Sequence, residues 1–267
     1  MTIARDVCDA IEESSYVYLT VGLKYNLAVW REQWPKIMAN AIDACKAKKA
    51  RLIFFDNVYM YGRVDGPMTE ETPVNPCSRK GEIRARIADQ LLTEVAKGNL
   101  RAKIARSADF YGPSADKSSL PYIFIFSRLA KGKKAKVLIN AMANHSYTFT
   151  ADCVKALYLL AKDDGIDPLW HLPTARPALN SAEFIAMAAK VLETKPEYTI
   201  MKQWMIRIAG LFSREISEVY EMLYQNAFPY EFDSTKFERH FNFEPTPYET
   251  GIAASIQGIT GHLKSGG

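Results

Sequence analysis

The chain has 267 residues, 48% of them hydrophobic and 24% charged, which suits one large α/β domain, or a domain with a smaller lobe, built around a sizeable core. The 34 Lys and Arg residues against 30 Asp and Glu leave a formal charge of +4. The two signs are intermixed rather than striped, which argues against a nucleic-acid partner, and the densest basic run, residues 131–136 (KGKKAK), reads as a solvated turn. Cys8, Cys45, Cys77 and Cys153 are scattered without metal-ligand spacing, and no secretory signal is read ahead of them. Reduced thiols and a cytoplasmic protein are expected, with no metal site. The apolar stretches are short and broken by charge, so no membrane partner is expected either.

In chain order, residues 3–13 have the spacing of an amphipathic helix, and 14–23 (SSYVYLTVGL) form a β-branched and aromatic run that ends at a glycine, as a buried parallel strand does. Residues 26–48 predict a long helix with Trp30, Trp34, Ile37, Met38, Ala41, Ile42 and Cys45 on one face, either core or dimer face. Pro35 inside it predicts a kink or a later start. A strand over 50–57, a helix over 79–97 and a strand over 100–108 follow. This alternation calls for right-handed crossovers and a doubly wound parallel sheet. From about residue 114 the pattern changes. Helices are predicted over 118–129, 151–162 and 181–192, the last capped by Asn180 or Ser181 with Glu183 in its first turn. Short strands are predicted over 135–139, 146–150 and 169–172. Residues 200–225 read as mostly helical with a break near Gly210, and the last four residues, KSGG, as a disordered tail.

The segment 51–92 carries the most information: RLIFFDN, a buried strand ending in two polar residues, then VYMYG, an acidic TEET loop, NPCSRKG and a helix. Later blocks read ARSADFYGP, YTFTADCVKALYLLAK, SAEFIAMAAKVL and DSTKFERHFNFEPTPYETGI. In order and spacing these resemble the extended short-chain dehydrogenases/reductases, the NAD(P)-dependent epimerase and dehydratase family, over essentially the whole chain. The resemblance implies a Rossmann-like dinucleotide-binding part over 1–140 and an interleaved substrate lobe over 141–267, with segments of 145–172 partly returning to the sheet. It also implies NAD or NADP as cofactor, a nucleotide-sugar or other hydroxyl/carbonyl substrate, and a homodimer. The family's opening strand with G-x-x-G-x-x-G is not found near Met1; GITG at 258–261 follows a helix and reads as chance. If the chain does start at Met1, its first strand presents an open parallel edge and is expected to pair with another chain.

By the same resemblance, the family's Ser/Thr, Tyr and Lys positions are here Asn57, Lys80 and Arg84, with Asp56 the nearest alternative acid/base. Spacing i, i+4 puts Lys80 and Arg84 on one helix face. Lys80 would move a proton only if burial, Arg84 and a bound cationic ring favoured its neutral form, whereas Asn57 can hydrogen-bond a carbonyl but cannot relay a proton. The other readings are that Lys80 and Arg84 bind phosphate or ribose without redox chemistry, or are solvated helix residues. Thr20, Val21 and Gly22 would lie on the adenosine-ribose side, and Arg106, Ser107 and Asp109 near the nicotinamide; Gly22 is equally a strand-ending turn. Tyr59, Tyr61, Phe110 and Tyr111 are core packing or a substrate platform. Tyr198–Lys202 matches Y-x-x-x-K only literally, without a serine-bearing strand upstream. The two functional expectations are an atypical NAD(P)-dependent oxidoreductase, epimerase or dehydratase-like protein, and a non-catalytic dinucleotide-sensing or protein-binding module on the same scaffold.

Overall fold

The computed structural model describes residues 1–11, 16–113, 115 and 119–265. The elements are α1 (Ala4–Ile11), β1 (Tyr16–Leu19), α2 (Leu27–Lys48), β2 (Arg51–Asp56), α3 (Arg79–Ala96), β3 (Ala102–Arg106), β4 (Asp109–Tyr111), α4 (Ser127–Leu129), β5 (Ala135–Leu138), β6 (Asn144–His145), β7 (Tyr147–Phe149), α5 (Thr150–Lys162), β8 (Leu169–His171), β9 (Leu179–Asn180), α6 (Ser181–Val191), β10 (Tyr198–Met201), α7 (Gln203–Phe212), α8 (Arg214–Val219), α9 (Tyr224–Ala227), α10 (Thr235–Phe241) and α11 (Tyr248–Ser265).

The chain divides into two compact units. The first comprises Met1–Arg63, Glu70–Ser107 and Lys155–His171; the second comprises Val64–Thr69, Ala108–Val154 and Leu172–Gly267. The crossing falls at Ser107–Ala108 rather than at 140, because β4 pairs with β7 and β5 with β10, so those strands build the second unit's own small sheets. Residues 155–171 return to the first unit, bringing β8 to its sheet.

Unit 1 is a Rossmann-like layer: a parallel sheet in the order β1-β2-β3-β8 with flanking helices. One face is apolar through Leu19, Leu52, Phe54 and Ile104, which pack on Trp30, Trp34, Ile37, Met38 and Ile42 of α2 and Ile83, Ile87 and Leu91 of α3. Trp30 and Trp34 are therefore core. The Asn26 side chain caps α2 by accepting the Val29 N–H, and the helix runs through Pro35 without a later start. Arg51 of β2 and Lys103 of β3 donate to the Ala161 and Asp163 carbonyls at the end of α5, so cations meet that helix's orphan acceptors.

Unit 2 is held by an aromatic core. Tyr111, Phe126, Tyr147, Phe149, Phe184 and Tyr248 are buried together, with Phe184 at its centre. A capping box fixes the start of α6: Asn180 accepts the Glu183 N–H, and the Glu183 carboxylate accepts the Asn180 N–H. The helix predicted over 118–129 contains a π-helical stretch at Tyr122–Phe126; Ser118 lies outside the described residues. The helical break falls at Ser213, not Gly210. Ser213 is extended (φ −137°, ψ 118°) and caps α8, while a Cβ on Gly210 would come 3.2 Å from the Ser217 Cα. That glycine serves close approach of α7 and α8. Tyr198 lies in a strand, so the YTIMK match does not stand on a helix. Of the predicted tail, Lys264 and Ser265 are helical in α11, and residues 266–267 lie outside the described residues.

Candidate functional site

In unit 1 the strand ends converge. Asp56, Arg106 and His171 are register partners in successive parallel strands, Asp56 opposite Arg106 and Arg106 opposite His171. In-register residues of parallel strands share a face, so the apolar layer beneath ends in a polar row at the carboxyl rim. This rim is where open α/β sheets place their ligands. The Val58–Gly62 turn that leaves β2 depends on Gly62: its φ is +67°, and a Cβ there would run into the Asn75 carbonyl oxygen. A Cβ on Gly81 would meet the Tyr59 carbonyl oxygen at 2.5 Å, so this glycine lets the first turn of α3 close on the same turn. Ser78 caps α3 by accepting the Gly81 N–H. Those contacts fix the start of α3, which carries Lys80 on its first turn and Arg84 one turn on.

Arg84 donates to the Asp56 carboxylate through Nε at 2.8 Å and through Nη2. Its guanidinium lies 4.3 Å from the Trp34 ring centre and 5.0 Å from that of Phe54, a stacked and hydrogen-bonded arrangement that a lysine could not reproduce. Arg106 makes the second ionic contact to Asp56, Nε to Oδ2 at 3.6 Å, and donates through Nη1 to the Tyr61 hydroxyl at 2.7 Å. Tyr61 Oη is 2.8 Å from His171 Nε2, and the His171 backbone N–H donates to Glu70. Burial pushes the Tyr61 phenol above its ordinary pKa, while the nearby Arg106 pulls it down; burial prevails. The result is a continuous buried network, Arg84–Asp56–Arg106–Tyr61–His171.

Lys80 is 0% exposed, with its ammonium 4.7 Å from the Tyr25 ring centre. The solvated-helix expectation therefore fails for Lys80 and Arg84, both of which are buried. Asn57 is half-buried, and its side-chain oxygen accepts the Tyr59 N–H. Ser107 is buried at the end of β3, its N–H donating to the Asp56 carbonyl. Thr20, Val21 and Gly22 follow β1, with Thr20 and Gly22 exposed, and a Cβ on Gly22 would meet nothing within 4 Å. Asp109 belongs to unit 2. There its carboxylate is 2.9 Å from His145 Nε2 and borders a cavity of about 30 Å³ shared with Lys136, Tyr147, Ser181 and Asn226. Tyr59 and Tyr61 belong to unit 1, and Phe110 and Tyr111 to unit 2.

The sequence model of the NAD dependent epimerase/dehydratase family matches residues 20–168, more than half of the chain. The chain belongs to this family. No curated protein sequence matches it. Among solved structures, dTDP-glucose 4,6-dehydratase from Bacillus anthracis in complex with NAD aligns with a TM-score of 0.80 at 14% identity, covering 98% of this chain and 78% of that one. UDP-glucuronic acid 4-epimerase from Bacillus cereus, in complex with UDP-glucuronic acid and NAD, gives 0.77 at 14% identity over 96% and 79%. WbmH from Bordetella bronchiseptica, in complex with NAD+, gives 0.75 at 19% identity over 97% and 80%. At these identities the likeness establishes the fold. For this member of the family, Tyr61 and His171 are the network residues that sequence reasoning passed over as partners. The signal lay in polar residues ending three apolar strand runs, FFD, IAR and LWH, whose register only the sheet reveals.

Proposed function

We propose that the chain handles a nicotinamide dinucleotide, NAD or NADP, along the carboxyl rim of its unit 1 sheet, as an oxidoreductase, epimerase or dehydratase-like protein. Its substrate would be a nucleotide-sugar or another hydroxyl/carbonyl compound. The supporting observation is the placement of Lys80: fully buried on the first turn of α3, against the Tyr25 ring and one helical turn from Arg84, which itself bonds Asp56 at the end of β2. NAD-bound epimerases and dehydratases of the same fold support the cofactor class. On this reading the nicotinamide-ribose side would lie against Lys80, whose ammonium would donate to ribose hydroxyls, with Asn57 and Ser107 supplying an amide and a hydroxyl at adjacent strand ends. The turn after β1 fits less closely, because Gly22 has open space where a close-approach glycine would be crowded.

When bound, the nicotinamide would accept or return a hydride. The chain's residues would orient the substrate hydroxyl or carbonyl through Asn57 and move its proton through Lys80, and Arg84 and Asp56 would hold the helix and strand end in place. The second reading, a dinucleotide-sensing module without turnover, is favoured by a specific observation: the Arg84 guanidinium is committed to Asp56 and the Asn57 oxygen to Tyr59. The test is NADH and NADPH binding by the protein, followed by turnover on nucleotide-sugars. Saturable binding with turnover that Lys80→Ala abolishes supports the enzyme. Binding without turnover selects the sensing module, and failure to bind either nucleotide defeats both.

A further inference from the structure

Unit 2 contains a cavity of about 30 Å³ that the dinucleotide reading leaves unused. Phe124 and Ile125 of its wall belong to the π-helical stretch Tyr122–Phe126, and Val137 and Leu138 come from β5. Wide turns of this kind recur at functional sites. The polar lining is Asp109, Lys136, Tyr147, Ser181 and Asn226. Asp109 Oδ2 is 2.9 Å from His145 Nε2, and the His145 ring packs on Tyr147 and Tyr230, so the carboxylate is held in place. Its other oxygen has no hydrogen-bond partner among the described residues. Neither the Lys136 ammonium nor the Asn226 side-chain amide has one there, and Asp109 and Lys136 form no ion pair with each other.

The lining thus offers a carboxylate oxygen, an ammonium and an amide, all uncommitted, beside an apolar wall. Opposite charges kept apart on one lining match a ligand that carries both. A phosphate or diphosphate would meet the Asp109 carboxylate, and a simple amine would meet Lys136. A single water needs about 10–15 Å³ of such space, so the cavity admits a head group rather than a base and ribose. We propose that it binds the head group of a small amino acid as its zwitterion. The ligand's ammonium would donate to Asp109 Oδ1, and its carboxylate would accept from Lys136 and the Asn226 amide. A short aliphatic side chain would lie against the apolar wall. The proposal stands apart from the dinucleotide reading, because every residue it uses belongs to unit 2.

The test is isothermal titration calorimetry of the full chain, without nucleotide, against L-alanine up to about 10 mM. Saturable binding is expected. Propionate and ethylamine are L-alanine without its ammonium and without its carboxylate. Each is expected to bind at least about tenfold more weakly, because each gives up one charge-assisted contact. Asp109→Asn and Lys136→Gln are each expected to weaken L-alanine binding at least about tenfold for the same reason, with thermal unfolding close to that of the parent. The comparison of ligands uses the parent alone, so it stands whatever the stability of the variants. Absence of L-alanine binding overturns the proposal. So does propionate or ethylamine binding as tightly as L-alanine, or an affinity that both folded variants leave unchanged.

Discussion

Each unit sets an aspartate against a basic partner, and the two pairs differ in burial. In unit 1, Asp56 sits among two arginines with almost no solvent access, so its charge is the counterweight to Arg84 and Arg106. In unit 2, Asp109 is partly exposed and faces one histidine, which lies between the rings of Tyr147 and Tyr230 at 4.6 and 4.4 Å. The first arrangement cannot lose its carboxylate without leaving buried cations uncompensated. The second can, because water reaches Asp109. The polarity of the unit 1 rim is therefore built into its core, whereas unit 2 derives cohesion from aromatic burial.

The same substitution in both places should expose this contrast. Asp56→Asn is expected to cost about 3–5 kcal/mol in urea unfolding, and Asp109→Asn, which keeps a hydrogen-bond acceptor, at most about 1 kcal/mol. Equal losses would mean that the Asp56 network is better solvated than its geometry indicates. Next in size, Phe184→Ala should cost about 3–5 kcal/mol, if unit 2 rests on its aromatic core. Removing the α6 cap with Asn180→Ala should cost about 1 kcal/mol.

The pH response should separate the units further. Burial raises Tyr111, Tyr147 and Tyr248 of unit 2, with Tyr248 pushed up to about 12. A phenol raised in the folded state stabilises it below the ordinary value of about 10 and loses that contribution as pH rises through the folded value. Alkaline unfolding should accordingly begin above about pH 10 and coincide with tyrosinate absorbance. On the surface of unit 1, the Lys46 and Asn99 side chains hold the Glu94 carboxyl down at about 2 from its ordinary 4.5. That small contribution is present above 4.5 and lost as pH falls toward about 2, so Glu94→Gln should differ slightly from the parent at neutral pH and converge with it in acid. The smallest effect is chemical: Cys77 is exposed whereas Cys45 is buried with its thiol pushed up to about 11, so alkylation followed by mass spectrometry should modify Cys77 well before Cys45.

Much of the framework was legible because local signals and tertiary context agree. RLIFFD and AKIAR are strand runs of buried width, and Asn180 with Glu183 is a complete helix start. Gly210 misled because a helical glycine can serve packing rather than termination, and the unit boundary at Ser107 depends on pairings between strands distant in sequence. In α3, the i, i+4 spacing of Lys80 and Arg84 predicts a shared helix face, and both side chains are buried. It gave no sign that Arg84 would be drawn onto Asp56 between Trp34 and Phe54, since those contacts join β2, α2 and α3. Likewise, Tyr61 and His171 are 110 positions apart and meet only through the sheet.

The most direct test is an NADH and NADPH fluorescence titration of the parent beside Lys80→Met, a substitution that keeps an apolar stem under Tyr25. Saturable binding by the parent, weakened at least about tenfold in a variant with unchanged circular dichroism, is the expected result, because a lost charge-assisted hydrogen bond is worth about 1.5–3 kcal/mol. No binding by the parent, or equal binding by the two proteins, would contradict the assignment of Lys80 to a dinucleotide site.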